Sequence, residues 1–244
     1  MTSIGSRLLS AWPLLLYLLL MPTMLWLGFW QLDKSGQRAQ ALSRYETQLE
    51  NDTTQDAAAL TDPQSFSPVT ATGEFIRDRQ LLIDNIVVDG QAGAYVISPM
   101  VLSDGQTLLI NRGWIPLTSE RTPAVPLTVP PGVQTVIGRV GKLPVGGLKL
   151  GDNPTTTERW PPLLVFPTMA ELSNLLDLKP KNWVLLSTTA LADESDSFVR
   201  RWAPGGLPPE RHMGYAVQWF AMSIALTLLM VGAWWRTRSK NNRE

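Results

Sequence analysis

Apolar residues run without a charged interruption from Leu8 to Leu32 and again from His212 to Trp235, while the long segment between them alternates polar and apolar positions over short distances. A bilayer core about 30 Å thick takes roughly 20 helical residues at about 1.5 Å rise each, and both runs supply that length. Trp12, Trp26 and Trp30 punctuate the first run, and Tyr215, Trp219, Trp234 and Trp235 the second. Rings with an apolar body and a polar tip settle at headgroup level, so this is the aromatic belt of spanning helices. The first run exceeds the usual apolar core of a cleaved signal, about 7 to 15 residues, and no small-x-small cleavage pattern follows it. It reads as a retained anchor. The pattern therefore predicts a membrane protein with two transmembrane α-helices (residues 11–32 and 211–235) flanking a β-rich extramembrane domain (33–210). A short N-terminal segment (1–10) precedes them and a basic tail (236–244) follows.

Within the middle segment, runs rich in Val, Ile, Leu, Thr and Tyr predict strands at Val69 to Phe75, Leu81 to Ile86, Ala94 to Val101 and Thr107 to Asn111. Further strands are expected at Thr135 to Val140, Leu163 to Phe166, Asn182 to Ser187 and Ser197 to Trp202. Strands this short and numerous, divided by turn signals such as Asp89-Gly90 and Asp104-Gly105, favour a sheet curled into a barrel or sandwich. Thr168 and Glu171 have capping-box spacing ahead of Leu172, Leu175 and Leu176, which predicts one short helix. Ala39, Leu42, Tyr45 and Leu49 recur at helical spacing and predict another, which can simply continue the first span. Pro116 to Pro131, Leu143 to Pro162 and Ala203 to Pro209 read as loops.

Charge gives the orientation. Arg236, Arg238, Lys240 and Arg243 follow the second run against only Glu244, and Lys and Arg close to a span stay cytoplasmic. Two spans put both termini on that side. From Asp33 to Glu210 there are 15 Lys and Arg against 20 Asp and Glu, a net of minus five. This leaves a mildly acidic domain on the periplasmic side of a bacterial inner membrane, with no basic field for nucleic acid. Cysteine is absent and histidine occurs once. Disulfides, thiolate metal sites and cysteine nucleophiles are thereby excluded, and a multi-histidine metal site is too.

Catalytic motifs are missing: there is no Gly-x-Gly-x-x-Gly, no phosphate-binding Gly-Lys-Ser/Thr loop and no His-Glu-x-x-His. Asp84 and Asp89 are close enough in sequence to face each other across a turn, but Asp alternating through a strand end is ordinarily a solvated edge. The Asn51-Asp52-Thr53 sequon matters only where glycosylation operates. The chain reads as a non-enzyme. The informative cluster lies where the two runs meet the outer surface. His212, Tyr215 and Trp219 fall at i, i+3 and i+7 and share one helical stripe, while Gly28, Phe29, Trp30 and Gln31 end the first span at the same height. Two readings stay open there. The rings are interfacial anchors, or they wall a pocket in which the imidazole serves as an axial iron ligand for a macrocycle. Gln218, roughly two turns into the second span, suggests an amide facing protein, with Gln31 as partner or as simple interhelical glue. Arg112 and Trp114 around Gly113 read either as an exposed contact for a partner or an anionic group, or as a packed barrel end.

The run from His212 to Phe220, HMGYAVQWF, resembles the C-terminal signature of the Surfeit locus protein 1 family, the cytochrome c oxidase assembly factors. Leu27 to Leu32 (LGFWQL), Gly93 to Met100 (GAYVISPM) and Asn111 to Pro116 (NRGWIP) match in the same order. Arg211 and Ser98 depart from the family pattern, at positions that are not iron ligands. The resemblance implies a membrane-bound, non-enzymatic role in building haem-copper oxidase by assisting delivery or insertion of haem A into subunit I. Subunit I, other oxidase assembly factors and the lipid bilayer are then the partners. The family's proposed haem histidine falls on His212, with Trp30, Gln31, Tyr215, Gln218 and Trp219 around it and Arg112 and Trp114 as further contacts. A haem-independent scaffold for the oxidase subunit is the alternative, followed by a membrane-anchored sensor domain.

Overall fold

The structure is a computed structural model that describes residues 3–50, 53–144, 160–192 and 198–241. In chain order its elements are α1 (Ser3–Glu50), β1 (Gln55–Asp56), a 3-10 turn (Ala57–Ala59), β2 (Pro68–Phe75), β3 (Leu81–Val88), β4 (Gln91–Leu102), β5 (Thr107–Pro116), β6 (Val133–Gly141), β7 (Leu163–Leu164), α2 (Met169–Leu176), β8 (Pro180–Ser187) and α3 (Pro209–Asn241). They form two compact units, one from Met1–Arg44 with Pro204–Glu244 and one from Tyr45–Ala203.

The first unit is helical. α1 continues the first apolar run without a break through the amphipathic stretch at Ala39 to Leu49, so one 48-residue helix replaces the two segments the sequence left separable. α1 and α3 are antiparallel: Tyr17 meets Thr227, Gly28 meets Phe220, Gln31 meets His212 and Ser35 meets Pro209. Ala216 and Ser223 of α3 are buried in this seam. The apolar windows within Trp12–Glu50 and Pro209–Ser239 are otherwise bare, with 6% and 11% of each covered by the protein itself. A core helix of a soluble protein would show the opposite.

In the second unit the sheet closes on itself. Pairing runs from β2 to β6, β8, β5 and β4, and β4 returns to β2 through Gly73↔Leu102, Glu74↔Val101 and Phe75↔Met100. A barrel of five strands results, with β5 and β8 parallel and the other ring pairs antiparallel. Gly73 permits the closure, because a Cβ there would lie 2.0 Å from the Val101 carbonyl oxygen. Length explains the ring: β4 has 12 residues, enough to pair with β3 along its first half and with β2 at its end.

Alternation fills the interior. Val69, Ala71 and Phe75 of β2 point inward with Met100, Leu102, Leu108, Ile110, Val136, Val140, Trp183 and Leu185. Each buried side chain of this size contributes about 1.5–3 kcal/mol. Residues of opposite parity, including Ile97, Leu109 and Val184, face outward under Leu172 and Leu176 of α2. α2 begins with the expected capping box: the Glu171 amide donates to Thr168 Oγ1 at 3.2 Å and the Thr168 amide to Glu171 Oε2 at 2.7 Å. A third cluster joins Leu82, Ala94, Val96, Ile115 and Phe198.

Three expectations change. Leu163 to Phe166 shortens to the two residues of β7. The strand expected at Ser197 to Trp202 reduces, among the described residues, to a single bridge between Val199 and Trp114. β5 runs on past Asn111 to Pro116, because a bulge absorbs Arg112: Val96 pairs with Gly113 and Ile97 with Asn111. Most of the loop from Leu143 to Pro162, the Asn and Asp of the sequon and the acidic run Asp193 to Asp196 lie outside the described residues.

Candidate functional site

The site at the outer ends of the spans is built by one seam. On α1, Gly28, Gln31, Ser35 and Arg38 follow one another at i, i+3, i+7 and i+10, so they share a face. Each touches the second helix or the segment leading into it. Gly28 lies under the Phe220 ring, where a Cβ would come within 2.6 Å of Cε1, and Phe29 meets the same ring edge-on at 5.2 Å between centroids. Ser35 Oγ donates to the Pro209 carbonyl at 2.9 Å, and Arg38 Nη1 to the Gly205 carbonyl at 2.8 Å.

Between these contacts His212 Nδ1 lies 2.8 Å from Gln31 Oε1. A carbonyl oxygen only accepts, so Nδ1 donates in this contact, and a neutral ring held this way has its lone pair on Nε2. Nε2 makes no hydrogen bond among the described residues, and the ring is partly exposed. Tyr215 and Trp30 are about two-fifths exposed, at 39% and 42%, and Trp219 is partly covered. Because α3 is one unbroken helix, His212, Tyr215 and Trp219 do share a stripe. The unit thus offers an imidazole with an open nitrogen among accessible aromatic faces. No group of three or more His, Cys, Asp or Glu able to hold a metal ion occurs among the described residues.

Gln218 is placed differently from its expectation. It is exposed, without a hydrogen-bond partner among the described residues, because Gln31 bonds the histidine instead. Six residues, about one and two-thirds helical turns, separate the two choices, and only His212 lies level with Gln31 in the antiparallel seam. The contacts of Phe220, Ser35 and Arg38 were not anticipated. Gly28 inside an apolar run was the available signal for a close helix approach.

Arg112 and Trp114 belong to the barrel unit and are not surface contacts there. Arg112 is 1% exposed. Its Nη1 and Nη2 donate to the carbonyls of Leu127 and Thr128 at 2.9 and 3.0 Å, and its guanidinium lies 4.7 Å from the Phe198 ring centroid. Burial lowers its pKa to about 10. Trp114 is also buried and donates through Nε1 to the Ile86 carbonyl at 3.0 Å. The packed-barrel-end reading describes both, with backbone carbonyls as the partners of the Arg112 guanidinium. Asp84 and Asp89 do not form a pair: Asp84 binds Arg121 and Asp89 binds Arg201.

Fold and site together define a strand-rich domain carried between two apolar terminal helices, with a histidine–glutamine pair where those helices meet. A model of the SURF1 family, the Surfeit locus protein 1 family, matches residues 18–224, and the chain belongs to that family. A SURF1-like protein of Dictyostelium discoideum is 27% identical over 114 residues, covering 42% of this chain and 42% of that relative. SURF1-like proteins of Mycobacterium bovis and Mycobacterium tuberculosis are each 29% identical over 104 residues, covering 40% of this chain and 38% of theirs. The aligned stretches thus span less than half the length of these curated relatives.

Proposed function

We propose that this chain is an inner-membrane assembly factor for haem-copper (cytochrome c) oxidase, and that it holds haem A transiently during delivery to subunit I. Haem A here is cargo; when bound, it supplies an iron that an imidazole can ligate. The observation that carries the reading is the open Nε2 of His212, presented by the Gln31 bond beside exposed Trp30, Tyr215 and Trp219. A ligating histidine ordinarily donates its other ring N–H to a carbonyl or carboxylate, and this pair has that form. The aromatic faces would cover the macrocycle against water and lipid.

Two bare apolar helices support anchoring in a bilayer. Their antiparallel packing supports a topology with both termini on one side, and the positive charge after Trp235 favours the cytoplasm as that side. The β-domain and the His212 site then face the periplasm.

Complementation tests the reading. In a bacterium lacking its own family member, the full chain should restore the haem a absorbance of assembled oxidase, and His212→Ala should not. Restoration by His212→Ala equal to wild type would refute haem handling and leave the haem-independent scaffold. No restoration by wild type in a host whose oxidase its own family member does restore would count against the assembly role itself.

A further inference from the structure

We infer that Gln31 is a positioning residue that fixes the tautomer of His212, holding the proton on Nδ1 so that Nε2 is the only ligand atom the ring offers. The inference deepens the haem reading and rests on it for its purpose. Its geometry stands separately. A neutral imidazole carries one proton on either nitrogen, and a histidine facing water or lipid headgroups exchanges between the two forms. Here the amide carbonyl of Gln31 stands 2.8 Å from Nδ1 and accepts from it.

The amide is where it is because the seam admits no slippage around it. Three residues before Gln31, Gly28 sits against Phe220. Four residues after it, Ser35 holds the Pro209 carbonyl, and Arg38 three further on holds that of Gly205. A slip of one residue would turn Gln31 by about 100° around α1, away from the ring. Glycine at 28 is therefore part of the same device: a side chain there would push Phe220 and the start of α3 outward and lengthen the bond between Gln31 and His212. The reversed arrangement, with the amide NH2 toward Nδ1, would force the proton onto Nε2 and leave no nitrogen for iron.

His212 is the only histidine in the chain, so its ring nitrogens can be observed without assignment. The full chain, labelled with 15N-histidine and held in detergent micelles at a pH where the ring is neutral, is compared by NMR with Gln31→Leu and Gln31→Glu. Wild type and Gln31→Glu are expected to carry the proton on Nδ1. Gln31→Leu is expected to shift it toward Nε2. In haemin titrations followed by visible absorption, Gln31→Leu should weaken binding on the order of 10- to 100-fold, with Gln31→Glu close to wild type. In a His212→Ala background, Gln31→Leu should change nothing further, which separates positioning from direct contact. A wild-type proton on Nε2, or an unchanged tautomer in Gln31→Leu, would overturn the inference. A wild-type proton on Nδ1, lost in Gln31→Leu but without haem uptake by either, would refute the haem reading and leave the hold of Gln31 on His212 standing.

Discussion

Arg112 commits two N–H groups to the carbonyls of Leu127 and Thr128 and lays its charge on the face of Phe198. Truncating it removes the donors to the Leu127 and Thr128 carbonyls and opens a hole where the buried guanidinium sat, so Arg112→Ala should destabilise the protein by about 3 kcal/mol in denaturant unfolding. Arg112→Lys should recover only part of that, since a point charge cannot reproduce the fork. The pH dependence has a defined sign. Burial sets the folded pKa near 10, below the ordinary guanidinium value, so both states stay protonated at lower pH and the stability difference between wild type and Arg112→Ala is flat from pH 6 to about 9. Only above about pH 10 does the unfolded chain hold the proton more tightly, and wild-type stability then gains as pH rises. A slope near neutrality would contradict this. Gly28→Val makes the complementary test in the helices: a branched side chain under Phe220 should cost about 1–3 kcal/mol and reduce haem uptake without changing the barrel. Composition pointed to His212 because it is the only imidazole, whereas nothing local revealed that Arg112 is buried. A bulge inserts one residue and changes which face the following side chains take, and the pairing that creates it is not a local property of the sequence.

Among the elements, the ends carry the recognisable information. Thr168 and Glu171 announced α2, and both halves of the capping box form. Thr168→Ala should cost about 1 kcal/mol, read from the urea midpoint. The far end of α1 is less obvious. It has no basic residue in its last turn, and Arg139 of β6 supplies the missing cation by donating to the carbonyls of Gln48, Leu49 and Phe66. Arg139→Ala should fray that turn, raising amide hydrogen exchange over Tyr45 to Glu50 by about tenfold for roughly 1–2 kcal/mol lost. Unchanged protection there would mean the cap is idle. The stop of α1 could not be placed from the sequence because its capping group comes from a strand some 90 positions away, at a separation of 91 from Gln48. Seven of the expected strands were legible from their alternation and turns. The closing pair of β2 and β4 was not, since Gly73 reads locally as a weak strand residue and only the meeting with Val101 explains it.

For the whole molecule, the account requires the barrel and the helix tail to lie on opposite sides of a membrane. The absence of cysteine makes that measurable with single replacements. Val87→Cys, at an exposed strand position, should react with an impermeant maleimide in intact spheroplasts, and Thr237→Cys in the basic tail only after lysis. The reverse pattern would invert the topology, and equal labelling would deny a span. Apolar run lengths made the two terminal helices readable from the sequence, because hydropathy is summed along the chain and needs no knowledge of packing, and the sidedness expected from charge is what this labelling tests. The site itself depends on one contact between residues 181 positions apart. Its most direct test is the visible spectrum of the full chain purified in mild detergent from cells that make haem A, compared with His212→Ala. The account predicts stoichiometric haem A in wild type and loss or a clear spectral shift in His212→Ala. Identical spectra, or no haem in wild type that still restores the oxidase, would contradict it.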